Sequence, residues 1–525
     1  MKTFLGIELG STRIKAVLVD EKGAPLATGG FDWENRFENE VWTYSLDDVW
    51  SGLAKSFSDL CVDYKEKTGK TSPDISCIGI SAMMHGYIAL DEDDTQLAEF
   101  RTWRNTITEQ EAEILTENFN FNVPQRWTIS HLYLTLRRKE AYINDIAYVN
   151  TLASYVHYKL TGEKVVGIGD ASGIFPIDSK INTYDKKMVE KFDQLASEYS
   201  VPWKLLDILP KVLVAGENAG YLTTEGALLL DPMGRVKAGI PLCPAEGDAG
   251  TGMVATNSVT PFTGNVSAGT SVFAMLTLDK ALSKVYPEID MVTTPSGNPV
   301  AMAHCNNCTS DIDAWIGLFS DIMTKMGQTP DKTQMYLNLY NAALNGDSDC
   351  GGLVSINYLS GEHTSGFLEG RPLFARTPDS LFTVENFMRS LLFSSISTLK
   401  IGMDILTEKE NVKLSKIHGH GGMFKTPVVG QKIMAGVLDL PVAVMDSAGE
   451  GGAWGIALLA VYAADKNAGQ SLENFLESRV FKNSSITVIN PDPADVEGFK
   501  SYFERYKKAL EIERTAVDVL ENIGK

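Results

Sequence analysis

Cysteine is scarce: six in 525 residues, at Cys61, Cys77, Cys243, Cys305, Cys308 and Cys350. So few, so scattered, do not make the disulfide framework of a secreted domain. Long apolar runs are missing too. The longest, 453–464 ("AWGIALLAVYAA"), falls short of the roughly 20 residues that cross a bilayer and suits a buried helix. Cationic charge is in deficit, with 47 Lys and Arg against 67 Asp and Glu and a net charge of −20. That balance disfavours phosphate-backbone binding and anionic membrane surfaces. The first residues lead into an apolar run that carries Glu8, unlike a signal peptide. The expectation is a cytoplasmic protein without nucleic-acid or membrane partners, long enough for more than one domain.

What the chain does have is one pattern written twice. "GIELGSTRIKAVLVD" (6–20) holds two strand-like segments split by Gly10-Ser11-Thr12 and closed by Asp20. "NVSAGTSVFAMLTLD" (265–279) repeats it, with Gly269 under Gly10, Thr270 and Ser271 under the hydroxyls, and Asp279 under Asp20. A glycine followed by two hydroxyls lets backbone N–H groups approach an anion closely. Two such turns, half a chain apart, imply two similar domains gripping one phosphate chain from both sides. The boundary is expected in the connector at 253–262, giving domains 1–254 and 255–525. The second turn imitates a P-loop from Gly264 to Ser271, but Thr270 stands where the lysine is required and the turn lies between strands. That reading is rejected.

Several polar residues fall at strand ends or glycine-rich breaks. "PAEGDAGTG" presents Glu246 and Asp248, and a carboxylate among backbone groups can accept a substrate hydroxyl's proton or simply bond its own turn. Glu8 lies within an apolar strand, where Mg²⁺ would compensate its charge, unless the strand is an exposed edge. Met84-His85-Gly86 ends another strand, and "RTWRNT" (101–106) mixes an aromatic face with guanidinium and amide donors. Both compositions suit carbohydrate as well as ordinary structure. "GHGGMFKTP" (419–427) resembles a close backbone approach before a helix. "HCNNC" (304–308) is one Cys pair without a second half, so reduced thiols are expected rather than zinc. "DEDD" (91–94) reads as a solvated turn, and 131–160 as helical.

Together with "LTGEKVVGIGDASGIFPID" (160–178) and "GGAWGIALLA" (451–460), these pieces resemble, in order and spacing over residues 4–465, the FGGY family of carbohydrate kinases. The resemblance implies an α/β protein of two ribonuclease-H-like (actin-like ATPase) domains flanking a nucleotide and sugar cleft. It implies ATP and Mg²⁺, with Asp248 as catalytic base. Gly10, Ser11, Thr12 and Arg13, with Gly269 and Thr270, would hold the phosphates. Gly421, Gly422 and Met423 would meet the adenosine, Glu8 the metal. Met84, His85, Trp103 and Asn105, beside Asp248, would meet the sugar. Three positions depart from the family pattern: Glu8 for Asp, Met83 for Gln and Asn105 for Asp. The acceptor implied is a ketopentose, D-xylulose or L-ribulose. A ketohexose, a polyol, gluconate, a non-catalytic sugar-binding role, an ATPase activator using Cys305 and Cys308, and a homodimer all stay open.

Overall fold

The computed structural model describes residues 2–445 and 451–522. β1 (Thr3–Leu9), β2 (Arg13–Asp20) and β3 (Pro25–Asp32) form an antiparallel meander. α1 (Leu46–Thr68) follows, opened by the Ser45 cap and closed by left-handed Gly69. β4 (Ile75–Ala82) and the short β5 (Glu246–Gly247) then add in parallel, so the sheet order is β5-β4-β1-β2-β3. Directly after β5 the chain turns into α2 (Asp248–Ala255).

The second half repeats this plan. β6 (Thr263–Ala268), β7 (Val272–Thr277), β8 (Ile289–Thr293) and β9 (Pro299–Cys305) pair antiparallel. After α3 (Val384–Asp404) come β10 (Lys416–His420), α4 (Val429–Leu438) and β11 (Val442–Met445), the strands adding in parallel. The central order β9-β7-β6-β10-β11 matches β3-β2-β1-β4-β5 in both sequence and sense, with β8 and a strand at Ile486–Ile489 added at the edges. These are the two expected ribonuclease-H-like halves.

α5 (Gly451–Asp465) belongs to the second half by sequence but lies on the first sheet. It is buried on all sides, as its uninterrupted apolar composition requires. Glycines make room for it: a Cβ on Gly6 would stand 2.2 Å from Ala453 O, and one on Gly79 2.7 Å from Ile456 O. Trp454 Nε1 donates to Gly23 O at 2.7 Å and fixes its far side. α6 (Pro493–Val519) buries Phe499, Tyr502, Phe503 and Tyr506 in the second core, so it caps that half. Among the described residues no helix is long and apolar enough to cross a membrane.

Two sequence expectations need correction. The helical stretch 131–160 is two helices, Thr128–Arg138 and Leu152–Thr161. They are separated by left-handed Lys139 and a strand, Tyr148–Asn150, that pairs with Ile88–Leu90. β4 and Ile88–Leu90 lie in different sheets. The two matched turns also differ by one residue in register, since Leu9 pairs with Ile14 but Ala268 with Val272. Asp20 therefore ends β2 and accepts from Lys22 N and Ala24 N, whereas Asp279 lies beyond β7.

Candidate active site

The first turn, Gly10–Arg13, is built by fixing its acceptors from behind. Gly10 N–H closes it onto Arg13 O at 3.0 Å. Trp33 Nε1 donates to Gly10 O at 2.7 Å, Tyr44 OH to Ser11 O at 2.5 Å, and Trp33 N–H to Thr12 O at 3.1 Å. The Trp33 and Tyr44 rings pack with centroids 4.3 Å apart. With all four carbonyls engaged, what the turn offers a ligand is donors, the chemistry an anion needs. Arg13 leans outward, Nε 3.6 Å from Asp32, more than half exposed. Neither Trp33 nor Tyr44 carried a sequence signal, because isolated aromatics at no fixed spacing look like ordinary core.

The second turn uses a different backing. Gly269 N–H reaches Ser271 O at 2.9 Å. Its carbonyls are taken by the start of the helix Ser310–Lys325: Thr309 N–H and Oγ1 on Gly269 O (3.0 and 2.8 Å), and Cys308 N–H on Thr270 O (2.9 Å). "HCNNC" thus braces this turn through its main chain. Both cysteines are buried free thiols, and burial pushes each thiol well up. Gly421 lies directly against the same turn. Its φ of 97° and ψ of −173° admit only glycine, and a Cβ would stand 2.6 Å from Ala268 O. Gly422 borders Gly269, while the Met423 side chain is buried in the second core.

Two carboxylates, Glu8 and Asp248, lie close enough to act on each other. Asp248 occupies the first position of α2, half-buried, and accepts Met84 N–H at 3.1 Å. Burial raises its pKa, opposed by backbone N–H groups at Met84, Ala249 and Asp248 itself. Glu8, second-last in β1, meets the start of α5: Ala453 N–H donates to Oε2 at 3.2 Å, and a Cβ on Gly452 would stand 2.2 Å from Oε1. Burial first, then the charge of Asp248, raises Glu8 to about 7, with Lys15 acting the other way. Two oxygen ligands in mutual repulsion fit a hard divalent cation, and Mg²⁺ is bound through one or two carboxylates beside phosphate oxygens and water.

Behind Asp248 lies a buried pair the motifs showed only in part. Glu246 accepts Asp170 N–H at 2.9 Å, and Asp170 Oδ2 accepts Thr151 Oγ1 at 2.5 Å. A Cβ on Gly247 would lie 3.1 Å from Asp170 Oδ1. Burial raises Asp170 to about 7 and Glu246 well above its ordinary value. Glu246 was visible in "PAEGDAGTG"; the role of Asp170 had no local pattern.

Met84 and His85 sit beside Asp248. His85 is buried, has a φ of 71°, and stacks on Trp127 with centroids 6.3 Å apart. Burial, then Arg126, holds its pKa well below the usual imidazole range. Trp103 is partly exposed and donates Nε1–H to Ser11 Oγ at 3.3 Å. Asn105 turns its amide to the backbone, donating to Trp42 O at 2.8 Å and Thr102 O at 3.0 Å and accepting Trp42 N–H at 2.8 Å.

Comparison with known proteins gives the family. Residues 3–255 match the N-terminal domain, and 264–464 the C-terminal domain, of the FGGY family of carbohydrate kinases. The chain belongs to that family, and it is a phosphotransferase. It is 22% identical to the xylulose kinase of Haemophilus influenzae over 96% of this chain and 98% of that one. It is 24% identical to a gluconokinase of Bacillus licheniformis over 88% of each. The fold matches a ligand-bound xylulose kinase from Lactobacillus acidophilus (TM-score 0.79, 17% identity, 99% of each chain).

Proposed function

We propose that this enzyme transfers the γ-phosphoryl group of ATP to a hydroxyl of a ketopentose, D-xylulose or L-ribulose. The observation that carries the reading is the place of Asp248: a half-buried carboxylate on a helix start, next to Met84-His85 and close enough to Glu8, two residues before the first donor-lined turn, to act on it. Phosphoryl transfer asks the protein chiefly to position and neutralise, with one carboxylate taking the acceptor's proton. Asp248 is that base. The raised pKa brings it closer to the operating range of a general base.

The donors of Ser11, Thr12, Gly269 and Thr270 cradle the phosphate chain, with Arg13 at the rim. Gly421 and Gly422 admit the nucleoside close to the second turn, and Met423 contributes through its main chain. Glu8, with water, would hold Mg²⁺, which when bound neutralises charge on the phosphates. Met84 and His85 face the sugar, Trp103 bridges it to the first turn, and Asn105 orders the loop carrying Trp103. A ketopentose is favoured by the relatives named xylulose kinase. The test is ADP release with Mg²⁺-ATP against D- and L-ketopentoses, ketohexoses, polyols and gluconate. A single strong ketopentose response is expected; a response confined to gluconate or a polyol would replace the acceptor, and none above basal hydrolysis would overturn the reading.

A further inference from the structure

Three histidines from three segments converge where the halves meet on the sugar side. His85 comes from the first half, beside Met84 and hence beside Asp248. His304 lies near the end of β9, half-buried, and His363, exposed, opens a single turn, His363–Ser365. The rings of His304 and His363 stack with centroids 6.2 Å apart at 15°, and Phe273 flanks His304 at 6.4 Å. His85 and His304 each feel the other side of the cleft: His304 and Arg126 act on His85, and Arg126 and His363 act on His304.

The approach of the halves is fixed here by polar contacts. Arg126 is ion-paired with Asp290 on β8, and Asn122 Nδ2 donates to Asp290 Oδ1 at 3.0 Å. Thr293 on the same strand donates its N–H to Ser172 Oγ at 3.1 Å. Yet among the described residues no hydrogen bond ends on a ring nitrogen of His304 or His363. The carboxylate nearest to His363 is Glu362, 3.9 Å away. A half-buried and an exposed imidazole whose ring nitrogens take no hydrogen bond, grouped with His85 and Arg126, are placed for a ligand.

We propose that His304 and His363, contributed by the second half, are specificity residues that read the hydroxyls of an uncharged sugar at the end away from the phosphorylated one. The inference rests on the sugar-kinase reading above and extends it to the acceptor's class. A neutral imidazole presents one donor and one acceptor, matching a hydroxyl, which is both. Burial lowers His304 to about 3, which keeps that ring neutral, and burial also lowers His363 against the pull of Asp290 and Glu288. The one permanent cation of the group, Arg126, already faces Asp290, which leaves no unopposed charge here for the carboxylate of a sugar acid.

The experiment compares kcat/KM for D-xylulose and L-ribulose with that for glycerol, which is too short to reach this wall, and for gluconate. The proteins are the wild type, His304→Ala, His304→Gln and His363→Ala. Because His363 is exposed, its truncation leaves the fold intact. The ketopentose-to-glycerol ratio should fall about tenfold or more in each alanine variant, mainly through KM, the size expected for one lost hydrogen bond to a sugar. His304→Gln, which keeps donor and acceptor, should recover most of it. Unchanged ratios in both alanine variants would overturn the inference alone, as would gluconate preferred by the wild type. Absence of wild-type turnover on all four acceptors would overturn the proposed function and this inference together.

Discussion

The indole of Trp103 donates its N–H to the hydroxyl of Ser11 at 3.3 Å, joining the loop on the sugar side to the first donor-lined turn. The bond takes an acceptor site on Ser11 and leaves its hydroxyl hydrogen free to donate elsewhere. Domain closure around substrate excludes water, the rival acceptor in such a reaction. On the proposed function, Trp103 would couple sugar occupancy to the state of the phosphate site.

Trp103→Phe keeps the ring and removes the donor. The expected result is a rise of several-fold in KM for ATP, corresponding to about 1 kcal/mol for one hydrogen bond. ATP hydrolysis without sugar should rise relative to transfer. Steady-state kinetics with and without acceptor checks both.

Gly421→Ala tests the second turn. The substitution forces a Cβ into a left-handed position against Ala268 O. A cost of about 1–3 kcal/mol is expected. Because the strain falls where the nucleotide would lie, ATP affinity measured by calorimetry should drop tenfold or more. Loss confined to thermal stability would place Gly421 outside the nucleotide site.

Both turns were legible in the sequence because a glycine-hydroxyl-hydroxyl break between apolar runs is a local pattern. The presence of two similar halves followed from its repetition. The one-residue difference in register was not legible, since it is set by what backs each turn: Trp33 and Tyr44 for one, Thr309 and Cys308 for the other. The buried character of α5 was readable from its composition, but not its seat on the first sheet, which depends on Gly6 and Gly79 making room. Asp248 was found from its glycine-rich surroundings. His304 was seen only as a neighbour of the Cys pair, because its partner His363 is 59 residues away in sequence.

Glu8→Gln removes one charge from the Glu8–Asp248 pair while keeping the side-chain length. Mg²⁺ dependence and rate should weaken together, with the half-saturating Mg²⁺ concentration rising severalfold. A metal titration that overlays the wild type would show that Glu8 serves only to cap α5 through Ala453 N–H.

The pH profile carries a sign. Glu8 is raised to about 7 and Asp248 is raised by burial, so the folded protein retains protons that an ordinary carboxylate has lost. Activity should therefore increase with pH along an acid limb lying above the ordinary carboxylate range. Raising Mg²⁺ should move that limb to lower pH, because a cation binds the deprotonated form. A limb near pH 4 that ignores Mg²⁺ would contradict these environments.

The most direct measurement is single-turnover formation of sugar phosphate, followed by ³¹P NMR, in the wild type and Asp248→Asn, with ATP affinity measured on the same proteins. Loss of a general base is expected to slow transfer by about 10²–10⁴-fold. ATP binding should stay within a few-fold of the wild type, since the two turns are intact. Near-normal transfer by Asp248→Asn would contradict the assignment of the base, and with it the central claim.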